Sequence, residues 1–382
     1  MHDQRRKAGL YVHVPFCGSV CRYCDFYSKV ANSGEIDDYL EALRVEASIE
    51  ASGAFGKFLY DSVFLGGGTP SLLSPKQIEK LFLVVRSSFS VSDDVEITIE
   101  CNPSTVTEKS LRIYRDSGIN RISLGVQSFN DTHLERLGRL HDSKAATETF
   151  RLLRDAGFEN IGIDLIYGLP EQTLHEWNDD LKHALALEPD HISAYNLIIE
   201  SETPFGRLHA EGKLRLPSED TQSLMHSALE NKLTEARYGR YELSNYCKSG
   251  YECRHNNKYW RLQPYLGLGP AAVSFDGALR TRNLPDLTAY IKSAANLALP
   301  PRESELLDSD KLRAEVIMMQ LRLSEGLQCE EIKARFQYDI IEKKERQIEL
   351  LLKNGYITLI DGRIKLTPRA LFISDEIIVK LI

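Results

Sequence analysis

No apolar run in the 382 residues approaches the roughly 18 that a membrane-spanning helix needs, so no such helix is expected here. Excess positive charge is missing too. Lys plus Arg number 47 against 55 Asp plus Glu, a net charge of -8, which argues against a protein that holds nucleic acid by bulk charge. No nucleic-acid partner is expected. Low-complexity stretches are absent, and the opening MHDQRRKAGL has basic residues but no apolar stretch before a cleavage site. No secretory signal is read there, and the cytoplasm is the expected compartment. The seven cysteines are an odd number, ill suited to a closed disulfide framework and expected to be reduced. What remains is an ordinary globular composition, 42% hydrophobic and 27% charged, long enough for two to three domains at about 150 residues each.

The first two hundred residues alternate short β-branched runs with longer helical patterns, the signature of βα units and a parallel sheet. The spacing predicts six strands, Tyr11 to Phe16, Ser62 to Leu65, Glu96 to Glu100, Arg121 to Gln127, Ile161 to Tyr167 and His191 to Leu197. Helical patterns fall between them at Ile36 to Glu50, Pro75 to Ser88, Glu108 to Asp116, Ser143 to Ala156 and Leu174 to Leu187. Polar or glycine-rich groups follow successive strand ends, at Cys17, Gly66 to Thr69, Glu100, Gln127 and Asp164. In a parallel barrel those ends share one face, where active sites form, so the predicted fold is α/β, a partial (β/α)6 barrel. After about residue 200 the rhythm stops. We expect a barrel over 1–200, an aromatic-rich region over 201–300, too irregular for one helix, that packs on it, and a module over 301–382 resembling a winged helix. That last reading rests on helical patterns followed by two strands across Asp361-Gly362, a strong hairpin signal. No Lys/Arg stripe marks its helices, so a lid or protein-contact surface is preferred to DNA binding.

Cys17, Cys21 and Cys24 are clustered in a loop that Pro15 and Gly18 keep from being helical. Three thiolates suit three irons of a cubane cluster and leave the fourth iron open; the alternatives are zinc, with His13 the nearest histidine, or isolated buried thiols. Cys253-x-His255 is a weaker metal candidate, and Cys101 and Cys329 read as inert buried thiols.

In context, that spacing resembles the radical S-adenosylmethionine (SAM) family. The resemblance is carried by Tyr11-Val-His-Val-Pro-Phe-Cys17 with Cys21-Arg-Tyr-Cys24, by Leu65-Gly-Gly-Gly-Thr-Pro-Ser71 and by Glu100-Cys-Asn-Pro103. It continues through Leu124-Gly-Val-Gln-Ser-Phe129, Leu137-Gly-Arg-Leu-His141 and Ile163-Asp-Leu-Ile-Tyr-Gly-Leu-Pro170. It extends into the tail and points to the oxygen-independent coproporphyrinogen oxidase-like branch. The resemblance implies a [4Fe-4S] cluster on Cys17, Cys21 and Cys24, and SAM chelated to the open iron. It implies a SAM pocket lined by Tyr11, Gly67, Gly68, Thr69, Glu100, Gln127, Arg139 and Asp164, with Val273 a candidate nucleoside contact or else part of a packing turn. Glycine at 66 to 68 would let backbone approach the ligand.

Two departures point away from the decarboxylating members of the branch. Those carry a further cysteine where this chain has Phe26, and a longer extension before the cysteines than the sixteen residues here. His255-Asn-Asn-Lys-Tyr-Trp260 instead resembles the HNxxYW motif of the HemW-type heme chaperones. That resemblance implies binding of heme and its delivery to apo-hemoproteins, with respiratory recipients expected. It also implies a low-potential electron donor and a homodimer, with cluster and SAM controlling dimerisation or heme release instead of turnover. His255 is then a candidate axial ligand, against the alternative of a loop histidine bonded internally. Oxidative decarboxylation of coproporphyrinogen III, radical methylation and heme opening stay as rival enzymatic readings.

Overall fold

The computed structural model describes residues 5–30 and 32–382; the first four residues of the basic opening lie outside them. Runs of Val, Ile and Leu too short for helices form parallel strands buried on both faces. These are β1 Lys7–Val14, β2 Leu59–Gly67, β3 Val91–Cys101, β4 Arg121–Gln127, β5 Ile161–Tyr167 and β6 His191–Asn196. Each pairs in parallel with the next, as the alternating pattern predicts. Helices Ser33–Ser52, Pro75–Ser88, Glu108–Asp116, Ser143–Asp155 and Leu174–Ala186 cover the outside. Ser74, Thr107 and Thr173 start three of them with reciprocal capping boxes, which fixes where each strand-to-helix turn ends. The sheet does not close: its outermost strands, Gly239–Arg240 and Arg302–Leu306, do not pair with each other. The barrel is therefore partial, and one side is open to ligands.

The aromatic-rich region does more than pack on the barrel: with Arg302–Leu306 it extends the sheet to twelve strands. Tyr265–Leu268, here β7, runs parallel to β1, and Asn245–Cys247 runs antiparallel to β6. Four residues between Pro264 and Gly269 are too few to show a period, so only long-range pairing makes them a strand. Leu279–Asn283 and Arg302–Leu306 add further antiparallel strands, and the polar segment after residue 203 holds a helix, Pro204–Ala210. Buried Glu46 ties this region to the first helix. Its carboxylate accepts from Gly269 N (2.8 Å), Asn283 Nδ2 (2.7 Å) and Tyr290 Oη (2.6 Å), while burial pushes its pKa up to about 7.

Toward the C-terminus, Leu327–Gln328, Arg363–Leu366 and Ile357–Ile360 make a small antiparallel sheet packed by Ser309–Gln320, Cys329–Phe336, Glu345–Lys353 and Ser374–Leu381. Asp361 and Gly362 turn the hairpin with φ of 50° and 69°, the left-handed pair that the sequence signals. Two helices, Ile340–Lys343 and Glu345–Lys353, meet at Lys344, and the last helix is preceded by a 3-10 turn over Pro368–Ile373. The core of this part includes Tyr265 and Phe275, so it is continuous with the end of the large sheet.

Candidate functional site

A cavity of about 740 Å³ runs through the open barrel. Its wall is set by strand alternation: Arg121, Ser123, Gly125 and Gln127 of β4 all face it, because every second residue of a strand shares a face. Tyr11, Phe64, Glu100, Asp164 and Ser193 join them from neighbouring strands. All three clustered cysteines line it, as do Gly67, Gly68, Thr69, Arg139 and His255. Of the sequence-derived candidates only Val273 lies elsewhere. It begins the strand Val273–Phe275, and its carbonyl oxygen lies 2.2 Å from where a Cβ on Gly267 would sit.

The cysteine loop is pinned at both ends. Lys29 N donates to Pro15 O (2.9 Å), and Arg22 N donates to Leu137 O (3.0 Å), which joins the loop to the turn carrying Arg139. Arg139 Nη2 donates to Gly125 O (2.6 Å) and Nη1 to Cys21 Sγ (3.8 Å), while Thr69 Oγ1 donates to Cys17 Sγ (3.5 Å). Donors aimed at sulfur favour thiolate ligands. Burial pushes the Cys24 thiol up to about 11, opposed by the Phe26 N–H and supported by Cys21 and Cys17. No group of three His, Cys, Asp or Glu side chains among the described residues closes on a single ion. A cubane takes each thiolate on a different iron, so the donor set fits a cluster without that convergence. His13, the fourth ligand that zinc would recruit, is engaged internally. Its Nε2–H donates to Tyr27 O (2.8 Å), which leaves Nδ1 to accept from Tyr11 Oη (3.1 Å).

Two half-buried carboxyls, Glu100 and Asp164, line the cavity. Gly67 N donates to Glu100 Oε2 (3.1 Å), and Ser123 Oγ lies 2.9 Å and 3.1 Å from the two oxygens of Asp164. Burial, then the Asp164 charge, pushes Glu100 up to about 8; burial also raises Asp164, against its serine hydrogen bonds. Arg121, only 2% exposed, faces the same space and offsets both. An acid whose folded pKa exceeds its unfolded value stabilises the fold most at low pH, and that contribution is lost as pH rises from about 4.5 through 8. Thermal stability of the ligand-free protein is therefore expected to fall between pH 6 and 8 by up to about 1.4 kcal/mol per pH unit for Glu100. Glu100→Gln should flatten that slope, and an unchanged slope would remove Glu100 as its source.

His255 is bonded internally. It opens the short helix Arg254–Trp260, is 1% exposed, and has both ring nitrogens engaged, Nδ1 with Ser62 Oγ (3.0 Å) and Nε2 with Tyr259 Oη (2.8 Å). Glu96 receives the backbone N–H groups of Arg254 and His255 (3.1 Å each), and Lys258 Nζ meets Asp61 at 2.6 Å. Burial, then Lys258 and Arg121, lowers the His255 pKa to about 3. The HNxxYW segment thus forms the floor of the barrel, with His255 beside Phe64 and Tyr11. Cys253 Sγ lies 3.6 Å from Glu96 Oε1, so the Cys-x-His pair is spent on packing too. His255→Ala is expected to destabilise the fold by about 2–4 kcal/mol by leaving Ser62 and Tyr259 unpaired. The optical spectrum of bound heme should stay the same, and a changed ligation spectrum would restore His255 as a ligand.

Residues 11–184 match the Radical SAM superfamily, and 307–373 match the HemN C-terminal domain. The heme chaperone HemW of Bacillus subtilis is 33% identical over 368 residues, 96% of this chain and 97% of its own. The Escherichia coli protein of that name is 41% identical over 265 residues, 69% of this chain and 68% of its own. This chain belongs to the HemW heme chaperone family. Among solved structures, Escherichia coli coproporphyrinogen III oxidase (HemN), described as a radical SAM enzyme, superposes with a TM-score of 0.85 at 25% identity, over 99% of this chain and 90% of that one. A radical SAM chain takes a [4Fe-4S] cluster and SAM, and this HemW-family cavity presents three thiols, a glycine turn and two carboxyls to receive them. Asn256 and Tyr259 of the HNxxYW segment also line it, as do Arg121, Ser123 and Ser193, which the sequence reading does not single out. The alternation Arg121-Ile-Ser-Leu-Gly-Val-Gln127 held the signal for Arg121 and Ser123.

Proposed function

We propose that this protein is a heme chaperone that binds heme and transfers it to apo-hemoproteins, with respiratory hemoproteins the expected recipients. The carrying observation is the likeness to the Bacillus subtilis heme chaperone along 96% of the chain. Cys17, Cys21 and Cys24 hold the [4Fe-4S] cluster, and Tyr11, Gly67, Gly68, Thr69, Glu100, Gln127, Arg139 and Asp164 line the SAM site beside it. Arg139 neutralises charge at the cysteine loop, and Glu100 and Asp164 accept hydrogen bonds from ligand hydroxyls. Residues 1–200 serve as the cofactor barrel, 201–300 as its floor and edge, and 301–382 as a surface for protein contact. A low-potential electron donor, a homodimer and a cytoplasmic setting complete the reading. No helix among the described residues is long and apolar enough to cross a membrane.

The test is an anaerobic heme titration of the cluster-loaded protein, followed by transfer to an apo-hemoprotein and an assay of coproporphyrinogen III. Stoichiometric heme binding and transfer without propionate-to-vinyl conversion is the expected result. Robust conversion would favour the second reading, a decarboxylase, which the TM-score of 0.85 to coproporphyrinogen III oxidase supports. Phe26, standing where the resemblance places a cysteine in that enzyme, counts against it.

A further inference from the structure

The small C-terminal sheet ends on an unguarded edge. Its strand order, Leu327–Gln328, Arg363–Leu366 and then Ile357–Ile360, leaves Ile357-Thr-Leu-Ile360 as an outer strand. Ile360 pairs with Arg363 across the two-residue turn, and Thr358 pairs with Lys365. In such a hairpin the pair flanking the turn exchanges both backbone bonds, and every second pair repeats the exchange. The N–H and C=O of Leu359 and Ile357 therefore point away from Arg363–Leu366, and they have no hydrogen-bond partner among the described residues. Edge strands are commonly guarded by charge, proline or a bulge. Arg302–Leu306, an outermost strand of the large sheet, obeys this with Arg302, Glu303 and Glu305. Ile357–Ile360 has none of the three guards, and Ile360 is 56% exposed.

Alternation sorts the side chains of this hairpin. Ile357, Ile364 and Leu366 enter the C-terminal core, which puts Thr358, Ile360, Arg363 and Lys365 on the opposite face. Arg369 reaches the start of the same strand, over the Tyr356 ring (5.1 Å to its centroid), and donates to Asn354 O (3.2 Å). Arg363 donates only to a carbonyl, Gly326 O (3.4 Å), and none of these three cations forms an ion pair among the described residues. Of the carboxylates on the adjoining turns, Asp361 is exposed at the hairpin tip and Glu325 is held by Arg261 (2.8 Å). We propose that Ile357–Ile360 is a docking edge for an extended acidic segment of a partner protein, which adds to the sheet by backbone bonds to Leu359 and Ile357 and sets its carboxylates toward Arg363, Lys365 and Arg369. The proposal rests on the reading of residues 301–382 as a surface for protein contact and deepens it. A second copy of this chain suits the edge less well, because antiparallel pairing of two such edges would lay their cationic faces side by side.

The probes are two peptides about eight residues long, one alternating Val and Glu and the other Val and Lys, each titrated against the heme-free full chain. Wild type is expected to bind the Val-Glu peptide about ten-fold or more tighter than the Val-Lys peptide. Leu359→Pro takes a donor from the free edge and none from the ladder, and should weaken the Val-Glu peptide about ten-fold. Arg363→Glu combined with Lys365→Glu should reverse the preference, a gain of Val-Lys binding that a misfolded chain would not produce. None of these residues lines the cofactor cavity, so cluster iron and SAM affinity should match wild type in both variants. Val-Glu binding that both variants leave unchanged, or equal binding of the two peptides by wild type, overturns the docking edge and keeps the contact surface. A wild-type dimer that Leu359→Pro converts to monomer also overturns it, by giving the edge to a second copy. Binding of neither peptide by wild type overturns the edge and the contact-surface reading together.

Discussion

Replacing Cys17, Cys21 and Cys24 together with alanine is expected to abolish iron and sulfide incorporation on anaerobic reconstitution, a loss of the whole cluster. The three thiols share one cavity, and two of them are met by donors from other segments, Thr69 at Cys17 and Arg139 at Cys21. None of the other four cysteines belongs to the loop: Cys101 ends β3, Cys247 and Cys253 lie in the region after residue 200, and Cys329 lies in the C-terminal core. The fold should survive, because the loop is fixed by backbone hydrogen bonds to Pro15 and Leu137 that alanine keeps. Stoichiometric iron and sulfide in the triple variant, measured chemically, would sink the assignment.

Gly67→Val is expected to abolish SAM binding and to lower thermal stability in the absence of any ligand. The sequence-based reason for this glycine is close approach of backbone to a ligand; the structure adds another. Gly67 has φ of 105°, and a Cβ there would lie 2.5 Å from the His13 ring, while one on Gly68 would lie 2.6 Å from Phe16 O. The glycines let the end of β2 lie against the end of β1. Left-handed strain and overpacking each cost about 1–3 kcal/mol, so a combined loss of roughly 2–6 kcal/mol is expected from ligand-free unfolding curves. A variant that unfolds like wild type but fails to bind SAM would return the glycine to the ligand alone.

Both variants concern residues that local sequence exposes well. The six parallel strands were legible because each is a short apolar run bounded by turn or cap residues, and β4 and β5 fall on their predicted limits. Site candidates on the strand ends were legible for a related reason: strands of one direction bring those ends to one face. The surroundings of His255 were not legible, because a histidine followed by aromatics reads the same whether its nitrogens face a ligand or a neighbour. Its partner Ser62 lies 193 positions away, on β2. Nor does the local sequence show the tight crossing of the Val273 backbone over Gly267.

The sequence by itself determined the α/β class, the order of the strands, the cysteine loop and the family. These depend on period, spacing and local backbone preference, which are properties of neighbouring residues. Only the tertiary structure decided that Tyr265–Leu268 enters the sheet beside β1, that the HNxxYW segment seals the barrel floor, and that Phe26, Leu140, Tyr195 and Ile198 line the same cavity as the cysteine loop. Strand pairing, the occupancy of a histidine's nitrogens and the exposure of an apolar side chain are all settled by residues distant in the chain. Burial and long-range hydrogen bonding choose among local options that the sequence leaves equal.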